Sequence, residues 1–383
     1  MTTTPRRARW SIAAIFFTNG ALFGSWAPNV PLVRDRLGLT DGQLSIALLA
    51  LALGAVVSMP LAGYLDSRFG SGGPAKLSTL LMVLALPLLA LAPNLPSLVL
   101  VALLFGACNG VGDVSMNAHA VEVERQYGRP IMSGLHATWS IGGFLASSTA
   151  GLLLAHVSTL AHFIGVAAVF VVVTVLAWSG LFPGEADRGE AGSHFALPSR
   201  SVLVIGLLTM ICFLTEGAML DWNAVFMRQS FATNATMTAA GYAAFAGGMA
   251  TGRFSGDFIR LRVSAVRIVR WGGLLAAAGL VLATLSSDVY VSIVGFAIAG
   301  LGISNLVPLM FTAAGRANVG SAGKGVAAAA TCGYCGFLAG PPIIGFLSEH
   351  TGLAPAFLLL AGGCAIVATF ALAAKPANHL GQD

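Results

Sequence analysis

Gly63-Tyr64-Leu65-Asp66-Ser67-Arg68-Phe69-Gly70 closes one long apolar segment, and 193 positions later Gly256-Asp257-Phe258-Ile259-Arg260-Leu261-Arg262 closes another. Gly143-Phe144-Leu145-Ala146 recurs as Gly336-Phe337-Leu338-Ala339 at the same offset of 193. Thr18-Asn19-Gly20-Ala21-Leu22 is echoed by Thr215-Glu216-Gly217-Ala218-Met219 at an offset of 197. The first half of the chain is thus written again in the second.

Composition says what is repeated. The chain is 56% hydrophobic and only 9% charged, with a mean hydropathy of +0.84, whereas a soluble domain carries about 25% charged residues. A membrane-spanning helix needs about 20 mostly apolar residues. Twelve segments qualify: 10–33, 41–65, 75–93, 97–124, 131–155, 160–182, 201–228, 237–258, 264–285, 289–314, 323–347 and 354–374. The fold expected is an all-α membrane protein of 12 transmembrane helices in two six-helix repeats. Residues 1–182 form an N-terminal bundle, the polar run 183–200 a cytoplasmic linker, and 201–383 a C-terminal bundle.

If the N-terminus is cytoplasmic, seventeen of the twenty Lys and Arg residues fall on that side, and only Arg34, Arg36 and Arg228 fall outside. Positive residues gather on the cytoplasmic side of membrane proteins, so both termini are expected there, in a multi-pass protein of the cell membrane. The net charge of +5 then reflects topology and gives no reason to expect nucleic acid. The first apolar run is too long for a signal peptide and ends in no small-residue cleavage site. Cys332 and Cys335 have metal or redox spacing, but they lie in a Gly-rich span with no second ligand pair, and read as small packing residues. No metal site, cofactor or nucleotide motif is expected. The partners expected are membrane lipid, a small-molecule substrate and protons, with the chain a monomer.

The octapeptide at 63–70 resembles the helix 2–3 signature of the major facilitator superfamily, Gly-x-Leu-x-[Asp/Asn]-[Arg/Lys]-[Phe/Tyr]-Gly, and the resemblance extends over essentially the whole chain. One departure is that the acid stands one position early, at Asp66, with Ser67 in the family's place. The resemblance implies transport by alternating access, and a cytoplasmic gate at Gly63, Asp66, Arg68 and Gly70 with counterparts Gly252, Arg253, Gly256 and Asp257. The alternative is a turn with charges at the membrane face. Within the superfamily the chain is similar to the fucose-permease-like group. Gly252-Arg253-Phe254-Ser255-Gly256 matches that group's helix 8 ending, and Asp113, Asn117, His136 and Trp139 match its helix 4 and 5 residues. That group's sugar–proton symporter has an acid at the outer end of helix 1, where this chain has Ala27. In repeat transporters of this kind the site lies near the midplane.

An ionisable side chain at the centre of a spanning helix costs about 2.5–3.5 kcal/mol on insertion scales, so those here need a reason. Asn109, Asp113, Asn117 and Glu124, spaced 4, 4 and 7, share one helix face. Two readings stand for Asp113: a proton-coupling carboxyl near mid-span, or a structural Asp bonded to neighbouring backbone or Asn. His136 either shares that proton or binds substrate, or it satisfies packing. Glu216 lies roughly 22 Å along helix 7 and ranks with Asp113, while Asp221 ranks below them because Arg228 is seven positions on. Trp26, Trp139 and Trp222 belong to helices 1, 5 and 7, which line the family's cavity. With Asn19, Asn109, Asn117, Asn223 and Asn305 they are the substrate-cavity candidates. Glu122 and Glu124 read as an interfacial cluster beside Arg125, and His119 as an interfacial histidine. Pro60, Pro308 and the pair Pro341-Pro342 are expected to interrupt helices.

The function expected is secondary transport of a small solute, sugar-like or organic, coupled to protons, and not enzymatic. Efflux of organic compounds or drugs on the same fold is the alternative. Gly110-Val111-Gly112-Asp113 also matches the Gly-x-Gly-Asp pattern of intramembrane aspartyl proteases, whose chemistry needs a second facing Asp. A non-transporting membrane receptor is the other remote alternative.

Overall fold

The computed structural model describes residues 4–129, 131–182, 200–317 and 322–378. Among them every apolar segment of the sequence is met by helix, and no strand occurs. The chain groups into two compact units, Met1–Gly192 with Asn234–Ala239, and Ser193–Thr233 with Ala240–Asp383. The expected linker 183–200 lies outside the described residues apart from Arg200.

In the first unit α1 (Pro5–Trp26) runs through a 3-10 turn at Ala27–Asn29 into α2 (Val30–Leu37). The first spanning segment therefore extends past its expected end at 33. Pro28 and Pro31 lack the N–H groups that a regular helix would use there. Next come α3 (Asp41–Phe69), α4 (Gly72–Leu91), α5 (Leu95–Tyr127), α6 (Met132–Leu153) and α7 (Thr159–Trp178). Their ends are written locally. Thr40 and Gln43 form a capping box at the start of α3, and Asn94 and Ser97 form one at α5. Such boxes satisfy backbone donors that have no partner within the helix.

In the second unit are α8 (Arg200–Phe231), α9 (Ala235–Arg260), α10 (Ala265–Leu285), α11 (Val289–Ile303), α12 (Leu306–Ala317), α13 (Ala322–Thr351) and α14 (Leu353–Thr369). The tenth segment splits at Ser304-Asn305, the interruption expected at Pro308. Pro308 is the cause, since a proline ring collides with the carbonyl four residues earlier, here that of Ser304. Pro60, Pro341 and Pro342, by contrast, sit inside continuous helices. The last segment bends by 53° into a 3-10 helix at Ala371–Ala377.

Eight described spans are long and apolar enough to cross a membrane, with α11 and α12 counted together as one, or nine if the bent pair at the end is one span. The expected twelve exceeds that number because α1, α6 and α9 fall short by composition. They carry Asn19, His136 and Arg253.

Close backbone contact organises each unit. A Cβ on Gly54 would meet the Leu103 carbonyl oxygen, and one on Gly106 would meet that of Leu51, so α3 and α5 touch backbone to backbone. The second unit repeats the crossing 194 positions on, where Gly248 faces the Ala297 carbonyl and Gly300 that of Phe245. One position pair has exchanged its residues. Ser58 presses on Gly110 in the first unit and donates to the Ala107 carbonyl at 2.9 Å, while in the second Gly252 lies under Ser304. Small residues at such crossings let dispersion act over long stretches of backbone.

His119, near the end of α5, is fully buried within the protein. The Phe182 N–H donates to its Nε2 at 3.3 Å, so Nδ1 of the neutral ring carries the proton and donates to Ser71 Oγ at 3.0 Å. Glu122 does pair with Arg125, through two hydrogen bonds of 2.9 and 2.8 Å. Glu124 instead accepts from the Ile131 and Met132 N–H groups at 2.7 and 3.0 Å, capping α6.

Gly106→Ala and Gly300→Ala are each expected to destabilise the protein by about 1–3 kcal/mol through overpacking. Gly165→Ala, in open space on α7, should be neutral or gain up to about 1 kcal/mol from helix propensity. Thermal unfolding in detergent measures all three, and equal behaviour would contradict the close crossings.

Candidate functional site

In the first unit the polar centre is Asn19 on α1, only 3% exposed. Its Oδ1 accepts from Trp139 Nε1 at 2.7 Å, and its Nδ2 donates to Asn109 Oδ1 at 3.0 Å. The same Nδ2 lies 3.6 Å from Met82 Sδ. One amide therefore ties α1 to α4, α5 and α6. It can do so because Gly20 lets the α6 backbone at Trp139 lie directly on α1.

One turn further along α5, Asn117 folds back on Asp113, donating from Nδ2 to its carbonyl at 2.8 Å and to its Oδ1 at 3.2 Å. Both residues are half-buried. Half-buried His136 meets the Phe16 ring edge-on, with centroids 5.3 Å apart. Trp26 is buried against Phe163, and its indole nitrogen has no hydrogen-bond partner among the described residues.

Asp66 near the end of α3 accepts from Ser115 Oγ on α5 at 2.7 Å. Gly70, with φ +74°, ends that helix and donates to the Asp66 carbonyl at 2.8 Å. The exposed Arg68 donates to the Tyr64 hydroxyl at 2.9 Å. Gly63 lies within α3, half-buried. Ser115 was not among the sequence candidates. The only signal for it is that it precedes Asn117 by two on a helix already rich in polar positions.

In the second unit Glu216 of α8 stands 3.7 Å from Arg253 of α9, with side chains 15% and 12% exposed. Tyr242 of α9 is buried, and Asp221 is half-buried five residues beyond Glu216 on α8. Arg253 is thus turned inward to an ion pair rather than exposed at the end of its helix. It lies seven residues, about 10 Å, inside the Arg260 end of its helix. A sequence motif places Arg253 along the chain but says nothing of the direction in which it points.

Asn223 and Trp222 are fully buried, and neither amide atom of Asn223 nor the Trp222 indole nitrogen has a hydrogen-bond partner among the described residues. Asn305, expected in a cavity, is engaged at the break between α11 and α12. Its Nδ2 donates to the Gly252 carbonyl at 2.8 Å and to Ser304 Oγ at 3.1 Å. A Cβ on Gly256 would strike the same Asn305 amide, so Gly252 and Gly256 serve helix contact here. The side chain of Asp257 lies outside the described residues.

A duplicated bundle of apolar helices with isolated polar clusters is the architecture of a secondary transporter. The chain belongs to the major facilitator superfamily, whose model matches residues 12–259. It is 37% identical to an MFS-type transporter of Yersinia pestis over 362 residues, 94% of this chain and 92% of the relative. It is 33% identical to the membrane protein MosC of Rhizobium meliloti, covering 94% and 88% of the two chains. The fold is that of the nucleoside transporter NupG, with a TM-score of 0.76 at 13% identity over 96% of this chain and 99% of the other. The E. coli fucose:proton symporter FucP shares it as well, at 0.64 and 16% over 95% and 97%. The protein is thus a multi-pass membrane transporter and not an enzyme, which disposes of the protease reading of Gly110–Asp113.

Arg253→Gln takes the counter-charge from Glu216 in a poorly solvated place. Breaking one side of a buried pair costs about 3–5 kcal/mol, and the 3.7 Å separation puts this pair toward the lower end. Adding Glu216→Gln should recover most of the loss. Thermal unfolding of the two single variants and the double variant measures the coupling, and additive losses would contradict it.

Proposed function

We propose that this transporter is a proton-coupled carrier of a small polar solute working by alternating access, with Glu216 as its proton-carrying group. The observation that supports this is the Glu216–Arg253 pair. A carboxylate and a guanidinium 3.7 Å apart in the interior of spanning helices attract one another strongly while both are charged. Protonation of Glu216 removes that attraction and frees Arg253, so a proton and a conformational change act on the same contact. Asp113, held by Asn117 in the first unit, is the second carboxyl in this reading, with His136 beside the α1–α6 packing.

The solute is sugar-like or a small organic compound. Two proteins sharing the fold are titled a nucleoside transporter and a fucose:proton symporter, and both of those solutes are polyhydroxylated. In the second unit Trp222 and Asn223 carry indole and amide groups with no hydrogen-bond partner among the described residues, the kind of groups such a solute needs. The charge distribution supports cytoplasmic ends, and in this reading the protein resides in the cell membrane as a monomer. Arg68 and Asp66 are the remaining gate residues of this proposal. Efflux of organic compounds differs from it in the direction of flux.

Reconstituted vesicles with an acid exterior should accumulate members of a labelled sugar and nucleoside panel, and a protonophore should abolish the accumulation. Glu216→Gln should lose gradient-driven accumulation while retaining solute counterflow. Accumulation that ignores the gradient and survives both Glu216→Gln and Asp113→Asn would overturn the proposal.

A further inference from the structure

The first unit carries a groove that the transport reading does not use. It has a volume of about 600 Å³ and lies between the first turns of α1 and the last turns of α7. Arg6, Arg7 and Trp10 stand on one side, and Val173, Leu176 and Ala177 on the other. No carboxylate is among its lining residues that the structure describes, and the first turn of α1 holds no acid. Arg7 is fixed at the mouth by donation from Nη2 to Ser179 Oγ at 2.9 Å.

The groove lies at the level of a membrane–water boundary. Trp10 is 71% exposed, and Trp178 at the end of α7 lies 5.9 Å from the Lys76 ammonium. Exposed tryptophans beside cations mark that level in membrane proteins. Below it Val169, Val172 and Leu176 form an exposed apolar strip along α7. Cations at the mouth and an aliphatic strip leading into the membrane ask for one molecule that is anionic at one end and aliphatic at the other.

We infer that this groove binds an anionic phospholipid, its phosphate at Arg6 and Arg7 and one acyl chain along the Val169–Leu176 strip. Basic pockets between spanning helices hold anionic headgroups in this way. A zwitterionic lipid brings its own ammonium to the arginines and is held less well. Free phosphate has nothing to lay on the aliphatic wall.

Native mass spectrometry of the full-length protein in mild detergent tests this, with phosphatidylglycerol and phosphatidylethanolamine of identical chains supplied in equal amounts. The expected result is one phosphatidylglycerol adduct that survives activation stripping phosphatidylethanolamine, and that inorganic phosphate does not displace. Arg6→Gln with Arg7→Gln should bring its retention down to the phosphatidylethanolamine level. Leu176→Glu, which keeps both arginines, should do the same. Arg267→Gln with Arg270→Gln on α10 removes equal charge elsewhere and should leave retention unchanged. Equal retention of the two lipids, displacement by phosphate, or equal loss in the α10 variant would overturn the inference.

Discussion

Within a bilayer no water is available to satisfy a backbone N–H or carbonyl, and lipid tails are as apolar as leucine. The first condition makes every spanning stretch a helix. The second removes the hydrophobic drive between helices, so they are held by close van der Waals contact and by polar contacts across their interfaces. Both consequences are visible in each unit. Gly54 and Gly106 bring α3 onto α5, and Gly248 and Gly300 bring α9 onto α11. With these crossings set, the directions of neighbouring side chains follow, including which polar groups meet.

The two units carry different polar contacts on their first helices. Asn19 and Glu216 lie in echoed pentapeptides 197 positions apart, but the crossings at which Gly142 meets Phe17 and Gly336 meets Met210 align the units at 193–194, which puts Glu216 one turn beyond the counterpart of Asn19. In the first unit the neutral amide is saturated by an indole and a second amide, a network whose members all keep the same charge across the physiological pH range. In the second unit the carboxylate faces an arginine at 3.7 Å. A duplicated scaffold thus carries a fixed anchor on one side and a protonatable contact on the other. The Glu216 reading rests on that ion pair.

The candidate site was legible as a set of residue types more than as a set of contacts. Polar residues in apolar segments flagged Asn19, Asn109, Asp113, Trp139 and Glu216. The Glu216–Arg253 pairing was hidden because a motif had assigned Arg253 to a helix end. Asn305 was flagged for polarity alone, and its role at the Pro308-induced break depends on where α9 passes. For His119 the distance along the helix gives its nearness to the helix end but says nothing of its burial within the protein. Its burial comes from Ser71 and Phe182, which belong to other segments.

By itself the sequence determined the membrane class, the helical segments and their duplication. Each of these depends on composition, period and local end signals, which act over a few turns of chain. The tertiary structure alone decided that Asn19 meets Asn109 and Trp139, 90 and 120 residues away, and that Glu216 meets Arg253. Such meetings depend on the rotation of each helix about its axis and on the depth at which glycines let it cross its neighbour, and no local pattern encodes either.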